Sequence, residues 1–597
     1  MQLQMIDWVS IFGFFLLSLI VGVLVSRKAG KSASSFFLSG RNMPWWLLGV
    51  SMVATTFSTD TPNLVTDIVR QNGVSGNWAW WAFLLTGMLT VFVYAKLWRR
   101  SGVMTDVEFY ELRYSGRTAA FLRGFRAIYL GIFFNVVIMA TVTLAAIKIG
   151  AVMLNLSPFE TVTIAAVVTV SYSMLGGLTG VLITDFFQFG IAMFGAVMAA
   201  KHALGHQAVG SLSNLITNPE ITDKLSILPD FSDTGLLVSV FIIPLAVQWW
   251  SVWYPGAEPG GGGYLVQRML SAKNEKHAVW ATLFFNIAHY ALRPWPWIIV
   301  ALSSLLVFPD LQSLRDAFPN VNPSVVRNDM AYPAMLTFLP AGLLGLVLAS
   351  LIAAYMSTIS THLNLGSSYI VNDFYRRFIN PNATEKQLVR MGRICTLLLM
   401  IAACALAPLL ENAKQAFDLL LQIGAGTGLL FILRWFWWRI NALSEITAMA
   451  VSFLIACYFT FIHSHTPLPQ LESWQRLVTG VALTTASWLI VTFLTRPSEK
   501  ETLRSFYRLV KPGGPGWRAV VENARAENQP VDTDDKGWDL PVGILCMFFG
   551  CTTTYGALFA TGYWIYGNYT PAVILTLVSA AAAVLLINAW KRLRINA

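Results

Sequence analysis

A run of small and hydroxylated residues, Ala353-Ala354-Tyr355-Met356-Ser357-Thr358-Ile359-Ser360-Thr361-His362, sits inside an otherwise apolar stretch. Helical spacing puts positions 354, 357, 358 and 361 on one face. Ala354 permits close approach, and three hydroxyls then point the same way. Hard cations are held by oxygen ligands. Neutral hydroxyls joined by open backbone carbonyls could supply such ligands without the cost of a buried carboxylate. The competing reading is that these hydroxyls bond their own helix or join neighbouring helices.

The carbonyls for such a site need a broken helix, and the sequence has two. One is Thr55-Thr56-Phe57-Ser58-Thr59-Asp60-Thr61-Pro62-Asn63. The other is Trp253-Tyr254-Pro255-Gly256-Ala257-Glu258-Pro259, followed by Gly260 to Gly263. Each places Pro or Gly, and an acid, inside an apolar stretch. Backbone opened at membrane depth must face protein or water, because lipid offers no hydrogen bonds. Asp60, Glu258 and Asp185 need partners there, since a charge at the bilayer centre costs about 2.5–3.5 kcal/mol on insertion scales. Cations and polyol hydroxyls both qualify. Alternatively, Asp60 and Glu258 lie near helix ends and reach into a vestibule.

The elements that must position these residues are membrane helices. The chain has 597 residues, of which 55% are hydrophobic and 12% charged, well below the ~25% charge of soluble domains. Apolar runs of about 20 residues, the length that spans a bilayer, recur about fifteen times. The reading is an all-α polytopic membrane protein. The two breaks, in the second span (44–66) and the seventh (234–257), are five helices apart. An odd offset inverts the second unit relative to the first, which is the pattern of an inverted repeat with a midplane site. The expected organisation is residues 1–43 as an N-terminal helix and loop, 44–203 and 234–440 as the two repeats, and 441–495 as accessory helices. Residues 496–540 follow as a cytoplasmic polar segment, and 541–597 as C-terminal helices.

Charge excludes other classes. The net charge of +10 could suggest nucleic acid, but Lys and Arg concentrate in every second loop. That alternation is a topology signal, with the N-terminus outside and the C-terminus cytoplasmic in the plasma or inner membrane. No nucleic-acid partner is expected. The five cysteines lie in apolar segments without ligand or redox spacing. The seven histidines form no metal-ligand spacing, and no nucleophile–base pair stands out, so an enzyme is not expected. Gly424-Ala425-Gly426-Thr427-Gly428 lies within an apolar helix and follows no strand, so close helix packing is the better reading than a phosphate loop.

Several motifs occur in the order found in one family. Ser39-Gly40-Arg41 precedes the second span, and Gly176-Gly177-Leu178 leads to Thr184-Asp185. Gln267-Arg268 follows the second break. Ser357-Thr358 is followed by Asp373-Phe374-Tyr375, and Phe436-Trp437-Trp438-Arg439-Ile440-Asn441-Ala442 comes last. Over roughly residues 6–460 the chain resembles the sodium/solute symporter family, which includes sodium/sugar and sodium/proline symporters. The resemblance implies a LeuT-like 5+5 inverted repeat with one extra N-terminal helix and about four C-terminal helices. It implies sodium-coupled import of a small polar solute, with a sugar or polyol as the first expectation. An amino acid or another small organic solute is the alternative, and a non-transporting sensor is the rival of another class.

The same resemblance implies site residues. A first sodium ion would be held by carbonyls of Ala54, Phe57 and Ala354 and by the hydroxyls of Ser357 and Thr358. A possible second would use Asp185, Ser360 and Thr361. Solute contacts would fall on Asp60, Thr61, His289 and Gln422, with Glu258 adding hydrogen bonds. Trp249 would line the cavity in place of the family's inner-gate aromatic, or would pack against lipid. The glycine run at 260–263 departs from typical members. Oligomeric state is not legible.

Overall fold

The computed structural model describes residues 3–29, 31–251, 258–321, 326–410, 424, 426–531 and 538–595. These residues are mostly helical and include no strand. Ten helices among them are long and apolar enough to cross a membrane. Of the remaining expected spans, the first is the continuous helix Met5–Ala29 and the others are broken, fused or partly outside the described residues.

The first helix, α1 (Met5–Ala29), packs along α7 (Pro158–Leu204) and α11 (Leu343–Ile379). Its Asp7 carboxylate accepts the N–H groups of Gly342 and Gly345, both at 2.7 Å, and so caps the start of α11. An acid at a helix N-terminus meets orphan donors and the positive end of the helix dipole. This cap helps place the helix that carries Ala354 to Thr361.

The second expected span is two helices, α2 (Trp45–Thr56) and α3 (Asp60–Asn72), separated by Phe57, Ser58 and Thr59. Phe57 leaves helical geometry with φ −101° and ψ 85°. After α4 (Val74–Ser101), α5 (Phe109–Arg113) and α6 (Gly116–Leu154) comes α7, which contains two expected spans. They meet at Gly177, whose φ of 51° and ψ of −158° suit glycine and few other residues. Asp185 follows two turns later.

The seventh span is also interrupted, with α8 (Thr234–Ala246) before the break and α9 (Gly263–Ser271) after it. Gly260, Gly261 and Gly263 all have positive φ (83°, 97° and 54°). The Gly260 carbonyl accepts Trp98 Nε1 at 2.8 Å, and Gly263 N–H donates to Asp106 at 2.8 Å. The glycine run is therefore a tight left-handed re-entry pressed against α4. The chain just before α2 touches the end of α9: Met43 N–H donates to the Ser271 carbonyl, and Lys273 N–H to the Met43 carbonyl.

The second repeat continues through α10 (Glu275–Val307), α11 and α12 (Glu385–Leu409). Gly426 and Gly428 leave no room for a Cβ against Thr484 and the Trp250 carbonyl, as close packing requires. Beyond lie α13 (Ala442–His465), α14 (Ser473–Leu494), α17 (Leu540–Ile565) and α18 (Tyr569–Trp590). Between α14 and α17 the polar segment folds into α15 (Lys500–Val510) and α16 (Arg518–Ala526). Helix α17 braces α4 and α10 through Gly550 on Met88 and Gly562 on Trp295. Tyr555 adds a hydrogen bond to the Trp81 carbonyl at 2.8 Å.

Candidate functional site

The break in the first repeat faces the hydroxyl stripe of α11. Thr358 Oγ1 donates to the Thr55 carbonyl at 2.8 Å, and the Thr55 and Thr361 hydroxyls meet at 3.2 Å. Ala54, Phe57, Ala354, Ser357 and Thr358 are all buried around this junction. Phe57 N–H still donates to the Ala54 carbonyl at 3.1 Å, and that is the last helical bond before the chain turns away. The Phe57 carbonyl then lies beyond the helix end.

Asp185 enters the same cluster. Ser357 donates to one carboxylate oxygen at 2.6 Å and Ser51 to the other at 2.5 Å. The Arg268 guanidinium stands 3.8 Å from the carboxylate, and both side chains are fully buried. Arg268 also donates to Thr361 at 2.7 Å and to Ser51 at 3.1 Å. Ser360 turns back to the Ser357 carbonyl at 3.0 Å. A buried acid without a compensating charge is strongly disfavoured, and Arg268 is that compensation. Sequence reasoning had noted Arg268 only as part of a motif. No local signal pairs it with Asp185, 83 positions away.

A second group lies on the α10 side of the break. Arg293, in the middle of α10, is buried and donates to Thr56 Oγ1 at 3.2 Å and to His289 Nε2 at 3.2 Å. Arginine can only donate, so Nε2 is the acceptor and Nδ1 carries the proton. Nδ1 then donates to Thr56 Oγ1 at 3.3 Å, and Thr56 passes its own proton to the Val53 carbonyl at 2.8 Å. The polar chain is set among aromatic rings. Phe57 stacks on Trp297 at 5.0 Å, Trp80 meets His289 edge-on at 5.6 Å, and Trp80 stacks on Tyr290 at 5.8 Å. Asp60 is half-buried and within electrostatic range of Arg293. Arg293 Nε and Trp297 Nε1 are buried donors with no partner among the described residues. Sequence analysis found His289 and Asp60 but missed Thr56, Arg293 and Trp297.

Three expected contacts are placed elsewhere. Thr61 spans the break itself, accepting from Ser58 N–H at 3.3 Å and donating to the Thr56 carbonyl at 3.2 Å. Trp249 packs against Trp250 at 5.5 Å, and its neighbour Gln248 bonds the Ala79 carbonyl. Glu258, expected among the solute contacts, is instead tied by ion pairs. It pairs with Arg126 of α6, and with Arg434 at 3.2 Å. Arg434 reaches Glu445 of α13 at 3.4 Å, and Tyr114 donates to the same carboxylate at 2.5 Å. The physical reason is charge: two buried guanidiniums outcompete hydroxyls for a carboxylate. Gln422 lies outside the described residues.

Next to this network, Arg113 of α5 donates to the Arg434 and Trp437 carbonyls at 2.9 and 3.0 Å. Burial pushes its guanidinium down to about 10, so it remains charged at neutral pH.

Residues 36–451 match the sodium:solute symporter family. The sodium/glucose cotransporter of Vibrio parahaemolyticus is 25% identical over 81% of this chain and 90% of its own length. The sodium/myo-inositol cotransporter 2 of Oryctolagus cuniculus is 26% identical over 82% of this chain and 77% of its own. A sodium-coupled sialic acid symporter, solved in a substrate-bound outward-open state, superposes with a TM-score of 0.66. It is 21% identical, and the match covers 83% of this chain and 99% of that one.

Proposed function

The chain belongs to the sodium:solute symporter family, and we propose that it imports a neutral sugar or polyol with one sodium ion per cycle by alternating access. The observation that carries the reading is the junction of the broken first repeat with α11, where Thr358 bonds the Thr55 carbonyl and Ser357 lies buried beside it. In this reading sodium is held by the carbonyls of Ala54, Phe57 and Ala354 and those two hydroxyls. It joins α2 to α11 and orders the break, so the solute binds a site whose ordering cost is already met.

The solute lies beside Thr56, His289 and Arg293, with Asp60 balancing the Arg293 charge. A neutral polyhydroxylated solute suits this balance. Its oxygens meet the donors on Arg293 Nε and Trp297 Nε1, and its apolar face meets the aromatic rings. The names of the two cotransporter relatives support a sugar or polyol.

The Asp185 cluster supports a single ion. Both carboxylate oxygens accept hydroxyl protons there, and Arg268 already supplies the positive charge. A second sodium ion at Asp185, Ser360 and Thr361 would have to displace a guanidinium. One charge falling through 100 mV releases about 2.3 kcal/mol. A tenfold sodium gradient adds ~1.4 kcal/mol. Together they hold a solute gradient of roughly 500-fold.

The repeats are taken as residues 44–203 and 234–440. The N-terminus faces outside and the C-terminus the cytoplasm, with the basic loops and the 496–540 segment inside.

Uptake of labelled glucose, myo-inositol and mannose into proteoliposomes, in sodium or in potassium, tests this reading. Uptake of one of them in sodium alone, with a Hill coefficient for sodium near one, is expected. Equal uptake in potassium would reject sodium coupling. A Hill coefficient approaching two would reject the single ion.

A further inference from the structure

The polar segment between α14 and α17 is docked on the rest of the molecule. Helix α15 and the turn before α16 bury Leu503, Phe506, Val510 and Trp517 against the rest of the molecule. Trp517 Nε1 donates to the Trp435 carbonyl at 2.9 Å, and the Gly516 carbonyl accepts Trp438 N–H at 3.1 Å. The Arg113 guanidinium is enclosed by the rings of Trp517, Phe506 and Tyr114 at 4.9, 5.3 and 5.2 Å. The Val510 carbonyl accepts Arg100 of α4 at 3.0 Å.

Apart from the Arg100 bond, these contacts converge on residues 434–438 and on Arg113 at the end of α5. Residue 434 is the arginine that holds Glu258, and Glu258 stands at the re-entry of the second broken helix. Arg113, enclosed by the insert, grips the backbone of Arg434 itself. The chain of contacts therefore runs from the insert, through Arg113 and Trp435, to Arg434, and from there to Glu258 and the broken helix.

We propose that Glu258, Arg126, Arg434 and Glu445 form the inner gate of this transporter, and that the α15–α16 insert is its keeper, holding Arg434 in place through Trp517 and Arg113. The inference rests on the proposed orientation, which puts the insert in the cytoplasm. Opening inward requires Glu258 to leave its two arginines as the broken helix moves away from α6 and residues 434–438. Buried ion pairs come apart only when water enters to solvate both charges, so such a gate has discrete open and shut states. A docked insert fixes the backbone that aims Arg434 and adds stability to the shut state alone. Undocking it favours the inward-open state with no change at the sodium or solute sites.

Hydrogen exchange on the full-length protein in lipid nanodiscs tests this without any solute. Trp517→Ala removes the ring over Arg113 and the bond to Trp435. Trp517→Phe keeps an aromatic ring over Arg113 and loses the bond. Amides at 258–271 and 434–438 are expected to exchange roughly tenfold faster in Trp517→Ala and less so in Trp517→Phe, since cation–π and hydrogen-bond losses act locally. The amides of Gly342 and Gly345, capped by Asp7 at the start of α11, should keep their wild-type rates. If 258–271 is unchanged in Trp517→Ala, the insert is no keeper. If Gly342 and Gly345 speed up equally, the insert stabilises the fold as a whole and the proposal also fails. Because the readout uses neither sodium nor sugar, its outcome is separate from that of the uptake experiment.

Discussion

The two helix breaks occupy equivalent places in the two repeats, yet they are held in different ways. The break at Phe57–Thr59 is bridged by neutral groups, Thr61 across its two sides, Thr358 on the Thr55 carbonyl and Thr55 against Thr361, with the Arg293 guanidinium on Thr56 beside them. The break ending at Gly263 is held by charge, with Glu258 between Arg126 and Arg434, and by glycines that let the backbone press against Tyr94 and Trp98. Neutral oxygens leave a site that a cation can complete at little desolvation cost. Buried ion pairs make a contact that is stable when shut and costly to break. The first arrangement suits ligand binding and the second suits a latch.

The contrast can be broken or sharpened by substitution. The largest effect is expected at Glu258→Ala, which leaves Arg126 buried without its carboxylate and Arg434 with Glu445 alone. Stripping one partner from a buried pair typically costs about 3–5 kcal/mol. The thermal midpoint should fall furthest in this variant, Glu258→Asp should recover part of the loss, and sodium should stabilise the variant as it does wild type. Loss of the sodium effect as well would mean that the two breaks are not separate devices.

Next in size is Ser357→Ala. A hydrogen bond or ligand contact to a charged group is worth about 1.5–3 kcal/mol, so the sodium concentration for half-maximal uptake should rise roughly 10–100-fold. Thermal stability in potassium should change far less. A large fall in potassium would show that Ser357 serves mainly to satisfy Asp185.

A smaller effect is expected at Gly260→Ala. The residue has φ of 83°, and a Cβ there would meet the Tyr94 ring at 3.2 Å. The left-handed conformation costs a non-glycine residue about 1–2 kcal/mol, which should appear as a lower thermal midpoint with sodium affinity unchanged. Smallest is Thr61→Val, which removes the bridge across the first break while keeping the side-chain shape. About 0.5–1.5 kcal/mol is expected, read as a modest rise in the sodium requirement. If Thr61→Val instead abolished solute uptake at saturating sodium, Thr61 would be a solute contact, as the family resemblance implies.

What the sequence determined by itself was whatever depends on neighbouring residues. Apolar run length marked the spans, Pro and Gly with an acid marked both breaks, and helical spacing placed Ser357, Thr358 and Thr361 on one face. Hydropathy and periodicity are local properties, and the bilayer enforces them strictly because it offers the backbone no other partner. The glycine run was visible, but its meaning was not until Trp98 and Asp106 were seen to bond its backbone. Only the tertiary structure decided which charge meets which. Asp185 finds Arg268, Arg293 settles on His289 and Thr56, and Glu258 is drawn from the expected solute contacts to Arg126 and Arg434. The insert at 500–526 read only as a cytoplasmic polar segment because its apolar residues are few, and the groups that dock it, Arg100, Arg113 and Trp435 among them, lie far away in sequence. A buried charge must be compensated, and that rule says a partner exists. It does not say which of many arginines, distant in sequence, the packing of helices will bring within reach.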